Sequence, residues 1–188
     1  MEVILASQSP RRKQLMGLLH IPFTVRVADI DETPDPTLSP AEDVARLSRL
    51  KAEAIPRTPQ DIVIAADTLV VYDGRELGKP GSTEEAKNML QMLSGNVHQV
   101  MTGMTVLQGE KSITCTEITD VHFRPLSEEE IDAYIASGDP MDKAGSYGIQ
   151  SGAASFVPRI EGDYYNVVGL PVCRLSQLLK QFTEEETL

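Results

Sequence analysis

Apolar positions along the chain alternate between short unbroken runs and helical stripes. Residues 2 to 6, EVILA, are such a run and predict a buried strand. Ser9-Pro10 then supplies a cap and a first-turn proline, so a helix is expected from Pro10 to about Leu19, with Leu15, Leu18 and Leu19 as its buried stripe. Ser39-Pro40 repeats the start, and Glu42 completes a capping box. Leu47, Leu50 and Ala54 give the stripe of a helix ending near Pro56. Ser82-Thr83-Glu84-Glu85 and Ser127-Glu128-Glu129-Glu130 open two further helices. Met89, Leu90 and Leu93 face inward on one, Ile131, Tyr134 and Ile135 on the other, and Gly95 and Gly138 close them.

Strands are expected at Phe23 to Ala28, Ile62 to Ala66, Val97 to Gln108 and Ser112 to Phe123, the last two joined through Gly109-Glu110-Lys111 as a long hairpin. A second hairpin is expected from residues 154 to 160 and 164 to 168 around Glu161-Gly162-Asp163. A closing helix carries Val172, Leu175, Leu178, Leu179 and Phe182, and the EEETL tail should fray. Helices alternating with strands early and hairpins later predict an α/β protein with a mixed sheet. It is expected as a single domain over residues 1 to 188, without internal repeat.

With 41% hydrophobic and 24% charged residues among 188, the composition excludes a disordered or collagen-like chain. No apolar run reaches the about 18 residues of a membrane-spanning helix. In MEVILASQSPRRK the basic cluster follows the apolar run, the wrong order for a secretory signal. Cys115 and Cys173 lack any zinc-binding spacing, so a reducing cytoplasm is expected. A net charge of −11 argues against nucleic-acid polymers and anionic membranes as partners. The charge is uneven. Residues 1 to 28 hold Arg11, Arg12, Lys13 and Arg26 against Glu2 alone, whereas Asp29, Asp31, Glu32, Asp35, Glu42 and Asp43 follow without a base. A cationic cluster beside a carboxylate cluster suits a metal-complexed anion.

In Ser7-Gln8-Ser9-Pro10-Arg11-Arg12-Lys13, three cations occupy the first helical turn, where the helix dipole is already positive. Free amides, the hydroxyls of Ser7 and Ser9 and guanidinium forks there make a phosphate cradle, and an anionic ligand resolves the conflict. Removing one of these charges is not expected to destabilise the fold. Asp67 interrupts the apolar run Ile62 to Val71. An unpaired buried carboxylate is costly, so Asp67 is expected at a strand end in a cleft, paired or metal-bound, as a candidate base or metal ligand.

Asp29-Ile30-Asp31-Glu32-Thr33 also fits the DxDx[TV] pattern and resembles the haloacid-dehalogenase phosphatases, in which Asp29 would be the nucleophile. Downstream, Gly162-Asp163 lacks the second acid that family uses for magnesium. Lys51 and Lys79 are candidate phosphate contacts, and the small-residue segment 141 to 152 carries an amide and an aromatic that could read a base. His20, His98 and His122 show no metal spacing and read as structural.

Taken in order, ASQSPRR at 6 to 12, the acidic turn with Glu32, Lys51, AADT at 65 to 68, GKP at 78 to 80, LSG at 93 to 95, DKAGSYGIQ at 142 to 150 and GDYYNVVGLP at 162 to 171 resemble the Maf family of nucleoside triphosphate pyrophosphatases. The resemblance implies an elongated α/β fold with a mixed twisted sheet, flanking helices and an active-site cleft between two lobes. It implies hydrolysis between the α- and β-phosphates with a divalent metal, Mg²⁺ or Mn²⁺, and a homodimer. The family name refers to septum formation, so clearing of nucleotide pools and a division-linked role are both in view.

Asp67 matches the family's proton acceptor, and Arg11, Thr68 and Gln150 match its positions for substrate choice. Ser7, Arg12, Glu32, Lys51 and Lys79 fall on its phosphate- and metal-handling motifs, with Glu32 and Asp67 as the metal pair. The Tyr-Gly-Ile-Gln form resembles the branch acting on dTTP and UTP, although Ser151 stands where that branch usually has glycine. The rivals are a phosphatase built on Asp29 and a non-catalytic nucleotide-binding regulator.

Overall fold

The computed structural model describes residues 1–183, so the EEETL expectation lies outside the described residues. The elements are β1 (Val3–Ala6), α1 (Pro10–Gly17), β2 (Thr24–Arg26), α2 (Pro40–Glu53), β3 (Ile62–Tyr72), β4 (Arg75–Leu77), α3 (Thr83–Leu93), β5 (Val97–Gln108), β6 (Lys111–His122), α4 (Glu128–Ala136), β7 (Arg159–Glu161), α5 (Tyr164–Val168) and α6 (Val172–Thr183). Seven strands form one sheet in the order β2-β1-β3-β5-β6-β7, with β4 paired to β3. It is mixed: β1 runs parallel to β2 and β3, whereas β3–β4 and β6–β7 are antiparallel.

The chain divides into two compact units. The first comprises Met1–Asp67, Thr102–Glu117 and Gly169–Leu188, the second Thr68–Met101 and Ile118–Val168. In the first, Ile4, Ala6, Ala52, Ile55, Val63, Ala65 and Leu107 make a core. There α2 lies directly on β5, because Gly103 has no side chain: a Cβ at that position would lie 2.1 Å from the Val44 carbonyl oxygen. Ser48 Oγ and Thr105 Oγ1 share a hydrogen bond of 2.8 Å at this contact. In the second unit, α3 contributes Met89, Leu90 and Leu93 and α4 contributes Ile131 and Tyr134 to a core with Phe123, Tyr147 and Phe156. Burying each such leucine is worth about 2 kcal/mol.

Caps behave as their residue types dictate. Ser39 with Glu42 and Ser127 with Glu130 form complete capping boxes, and Ser9 and Ser82 accept from the amides of Arg12 and Glu85. Four expectations need correction, one of them Ala54, expected in the stripe of α2 but exposed at its C-terminal cap while Ala52 is buried. The first helix ends at Gly17 and buries Leu15 and Met16, while Leu18 is 51% exposed. The strand expected to end at Ala66 continues to Tyr72 and turns back into β4 through Asp73 and Gly74, both in the left-handed conformation. The second hairpin does not form. Asp163 Oδ1 accepts the amides of Tyr165 and Asn166, and this local bond starts α5 where a valine-rich strand was expected. Residues 152 to 156 form a 3₁₀ turn.

Candidate active site

The parallel pairing of β1 with β3 registers up to Leu5 opposite Ile64, and the pairing with β4 begins at Val70. Asp67 and Thr68 fall in the stretch of β3 between these two. Asp67 therefore lies inside a long strand and not at a strand end as expected, but the sheet's own pairing changes there. It is half-buried, after five fully buried apolar residues, and an ion pair answers its burial: Lys51 Nζ donates to Asp67 Oδ1 at 2.7 Å. The same Nζ donates to Glu32 Oε2 at 2.7 Å. The two carboxylate oxygens thus lie no farther apart than twice that distance.

Glu32 sits in the irregular segment after β2, and α2 holds that segment from two side chains. Arg46 donates to the Thr33 carbonyl at 2.9 Å and pairs with Asp43, whose Oδ1 in turn accepts the Asp35 amide at 3.3 Å. Asp31 folds back on Thr33, accepting its amide and hydroxyl. These bonds hold the Asp31 carboxyl below its usual range, the Thr33 hydroxyl contributing most. The acidic run without a base in sequence is thus answered in space by Arg46 and Lys51. Asp29, the nucleophile of the phosphatase rival, is exposed in this segment, and Asp31 of the same pattern is committed to the turn.

The cations of α1 divide. Lys13 is exposed, Arg11 is half-buried, and Arg12 Nε donates to the Gly169 carbonyl at 2.8 Å. Burial pulls the Arg12 guanidinium below its usual value and Arg11 adds to that, while the charges of Asp67 and Glu32 oppose it. Arg12 thus holds a contact within the fold, which the expectation that its removal leaves folding intact did not include. Ser7 is buried and accepts the Ser9 amide at 3.1 Å, and Ser9 caps the helix. Each hydroxyl keeps its own hydrogen to donate to an anion.

In the second unit, Thr68 follows Asp67 and is half-buried, and Lys79 is exposed. The Gly145 amide donates to the Gly78 carbonyl at 3.0 Å, so the Gly-Lys-Pro loop and the DKAGSYGIQ segment are fastened together. Gln150 is exposed in a turn of that segment. Tyr147, the aromatic noted in sequence, is buried with its hydroxyl 2.8 Å from His98 Nε2, and is part of the core. From the sequence, Tyr134 is expected only as an inward-facing helix residue and Lys143 only as part of the 142 to 150 motif, while Arg46 and Asp139 stand out in neither way.

A divalent cation fits this donor set. Glu32 and Asp67 are hard oxygen donors that already converge on one positive charge, the Lys51 ammonium. Among the described residues no group of three or more His, Cys, Asp or Glu side chains could cage a metal. Mg²⁺ and Mn²⁺ suit two carboxylates completed by water and substrate phosphates, whereas structural zinc does not.

The family model described as Maf-like protein matches residues 2–182. A dTTP/UTP pyrophosphatase of Bacillus cytotoxicus is 54% identical over 180 residues, covering 95% of this chain and 94% of that protein. Another, from Bacillus cereus strain B4264, is 50% identical over 187 residues, covering 99% and 98%. A solved HAM1 protein from Coxiella burnetii has a TM-score of 0.52 at 16% identity over 96% of this chain and 99% of that one. The Staphylococcus aureus Ham1 protein has a TM-score of 0.50 at 16% identity over the full length of both. At that identity the likeness is one of fold. No helix among the described residues is long and apolar enough to cross a membrane.

Proposed function

The chain belongs to the Maf-like protein family, and from that premise we propose that it hydrolyses nucleoside triphosphates, dTTP and UTP in preference, to the monophosphate and pyrophosphate. The observation that carries this reading is the cluster in which Lys51 bridges Asp67 and Glu32 at 2.7 Å each, near the half-buried Arg12. Phosphoryl-type substitution needs a positioned water and charge neutralisation more than covalent chemistry. Asp67 orients the water and accepts its proton as the bond between the α- and β-phosphates breaks. Arg11, Arg12, Lys51 and Lys79 oppose phosphate charge, and the hydroxyls of Ser7 and Ser9 donate to phosphate oxygens. Glu32 and Asp67 would hold the Mg²⁺ or Mn²⁺ ion, which when bound supplies positive charge to the phosphate oxygens.

Thr68 and Gln150 contribute substrate choice. A glutamine amide offers a donor and an acceptor side by side, matching the O4 carbonyl and N3 hydrogen of thymine and uracil; cytosine reverses that pair. The two free cysteines, Cys115 and Cys173, suit a reducing cytoplasm, and a homodimer completes the proposal. Phosphorus NMR of dTTP turnover with Mg²⁺ tests it: pyrophosphate and dTMP are expected, with chelation of the metal stopping the reaction. Orthophosphate as the first product would support the Asp29 phosphatase instead, and tight nucleotide binding without turnover would support the regulator.

A further inference from the structure

The turn carrying Gln150 is fastened at both ends to one pair of side chains. The Ser151 amide donates to the Gly148 carbonyl at 3.1 Å, closing a four-residue turn with Gln150 in its third position. At the front of the turn, the Gly148 amide donates to Tyr134 Oη at 3.0 Å, and that hydroxyl donates to Asp139 Oδ2 at 2.5 Å. At the back, Ser151 Oγ donates to the same Asp139 oxygen. Lys143 Nζ completes the knot, donating to Asp139 Oδ1 at 3.0 Å and to the Asp139 carbonyl at 2.6 Å.

The anchor beneath is packed into the core. Tyr134 is buried on α4, its ring edge-on to Phe156 at 5.2 Å between centroids. The turn is also close-packed: a Cβ at Gly148 would lie 2.6 Å from both Ser151 Oγ and Lys143 Cε. Burial works against the Asp139 carboxylate, but the bonds from Ser151, Tyr134 and Lys143 outweigh it and hold its carboxyl below the usual range. Burial and the Asp139 charge together raise the Tyr134 phenol well above its ordinary value, so its hydroxyl remains a donor.

We propose that Tyr134 and Asp139 are positioning residues for base selection, holding the 148–151 turn so that the Gln150 amide meets the base in one orientation. This rests on the reading above that Gln150 contacts the base. An amide on a loose turn can present its donor and acceptor in either order and would accept cytosine as readily as thymine. A turn tied at both ends fixes the Cα–Cβ direction of Gln150 and leaves fewer arrangements.

Tyr134→Phe keeps the packed ring and removes the hydroxyl, and Ser151→Ala loosens the other end. The measurements are kcat and KM for dTTP and CTP, thermal midpoint, and amide hydrogen exchange over residues 144 to 152. In each variant the dTTP-to-CTP ratio of kcat/KM is expected to fall about tenfold, mainly through KM, with kcat for dTTP within about twofold of the parent. Exchange at 148 to 151 accelerates while the thermal midpoint stays within a few degrees.

Faster exchange with an unchanged ratio in both variants overturns the proposal, as does unchanged exchange in both. Gln150→Ala separates this failure from failure of the underlying reading. A lowered ratio in Gln150→Ala beside an unchanged one in Tyr134→Phe and Ser151→Ala refutes only the positioning role. An unchanged ratio in Gln150→Ala refutes base reading by Gln150, and this proposal with it.

Discussion

Lys51 and Asp67, sixteen residues apart and on different elements, meet through a 2.7 Å bond from Nζ to Oδ1, and both side chains are 16% exposed. The contact depends on backbone far from either residue. Lys51 lies toward the end of α2, and α2 reaches the sheet only because Gly103 lets it approach β5. Through Arg46 and Asp43 the same helix holds the segment that brings Glu32 to the same ammonium. One helix thus sets the spacing of both carboxylates, which is what a shared divalent cation requires.

Gly103→Ala is therefore expected to be among the most damaging small substitutions. The added Cβ meets backbone, which cannot swing aside as a side chain can, so α2 must shift from β5. A loss of about 3 kcal/mol or more is expected, with activity falling alongside because Lys51 moves away from Asp67. Urea midpoints of the variant and parent check this; a change below about 0.5 kcal/mol contradicts the close approach.

Arg12 and Lys13 should part company. Arg12→Ala orphans the Gly169 carbonyl and empties a packed position, so stability is expected to fall by about 1 to 3 kcal/mol together with activity. Lys13 is exposed in the first turn and opposes the helix dipole, so Lys13→Ala should be neutral or stabilising by a few tenths of a kcal/mol. Thermal melts of the two variants at low salt decide the matter. Equal effects would return all three cations to one exposed cluster.

His98 gives the fold a pH dependence. Burial, with a smaller contribution from His122, pushes its imidazole down from 6.5 to about 4 against the opposing pull of Asp120. The native state thus keeps a neutral ring where the unfolded chain takes up a proton. Stability is full above about pH 6.5 and declines as pH falls toward 4, by up to about 3 kcal/mol. His98→Gln should lower stability at neutral pH, because Tyr147 loses its ring partner, yet flatten the slope between pH 6.5 and 4. An unchanged slope in denaturant titrations would assign the acid sensitivity to other groups.

Helix starts were readable because they rest on local chemistry: Ser39-Pro40 with Glu42 and Ser127 with Glu130 need no tertiary partner to form their boxes. The closing helix buries all five of its expected residues. Asp67 was legible as an oddity, since a carboxylate in an apolar run demands a partner, but Lys51 on another element could not be identified as that partner from periodicity. The β3–β4 hairpin did carry a local signal, Asp73-Gly74, the dipeptide suited to a two-residue turn with both residues left-handed. The failed hairpin shows the opposite case. Val167 and Val168 read as strand, and one cap from Asp163 was enough to override them. Tyr134, Asp139 and Ser151 are joined only by folding, and their spacing in sequence announces nothing.

The most direct test of the account is single-turnover hydrolysis of dTTP by Asp67→Asn with Mg²⁺ present, alongside nucleotide binding to the same variant. The amide keeps the shape of the side chain but is a far weaker proton acceptor than a carboxylate. The variant is expected to fold, to bind dTTP still and to release pyrophosphate slower by a factor of about a hundred to ten thousand. Pyrophosphate release within about threefold of the parent rate would remove Asp67 from the chemical step and contradict the account.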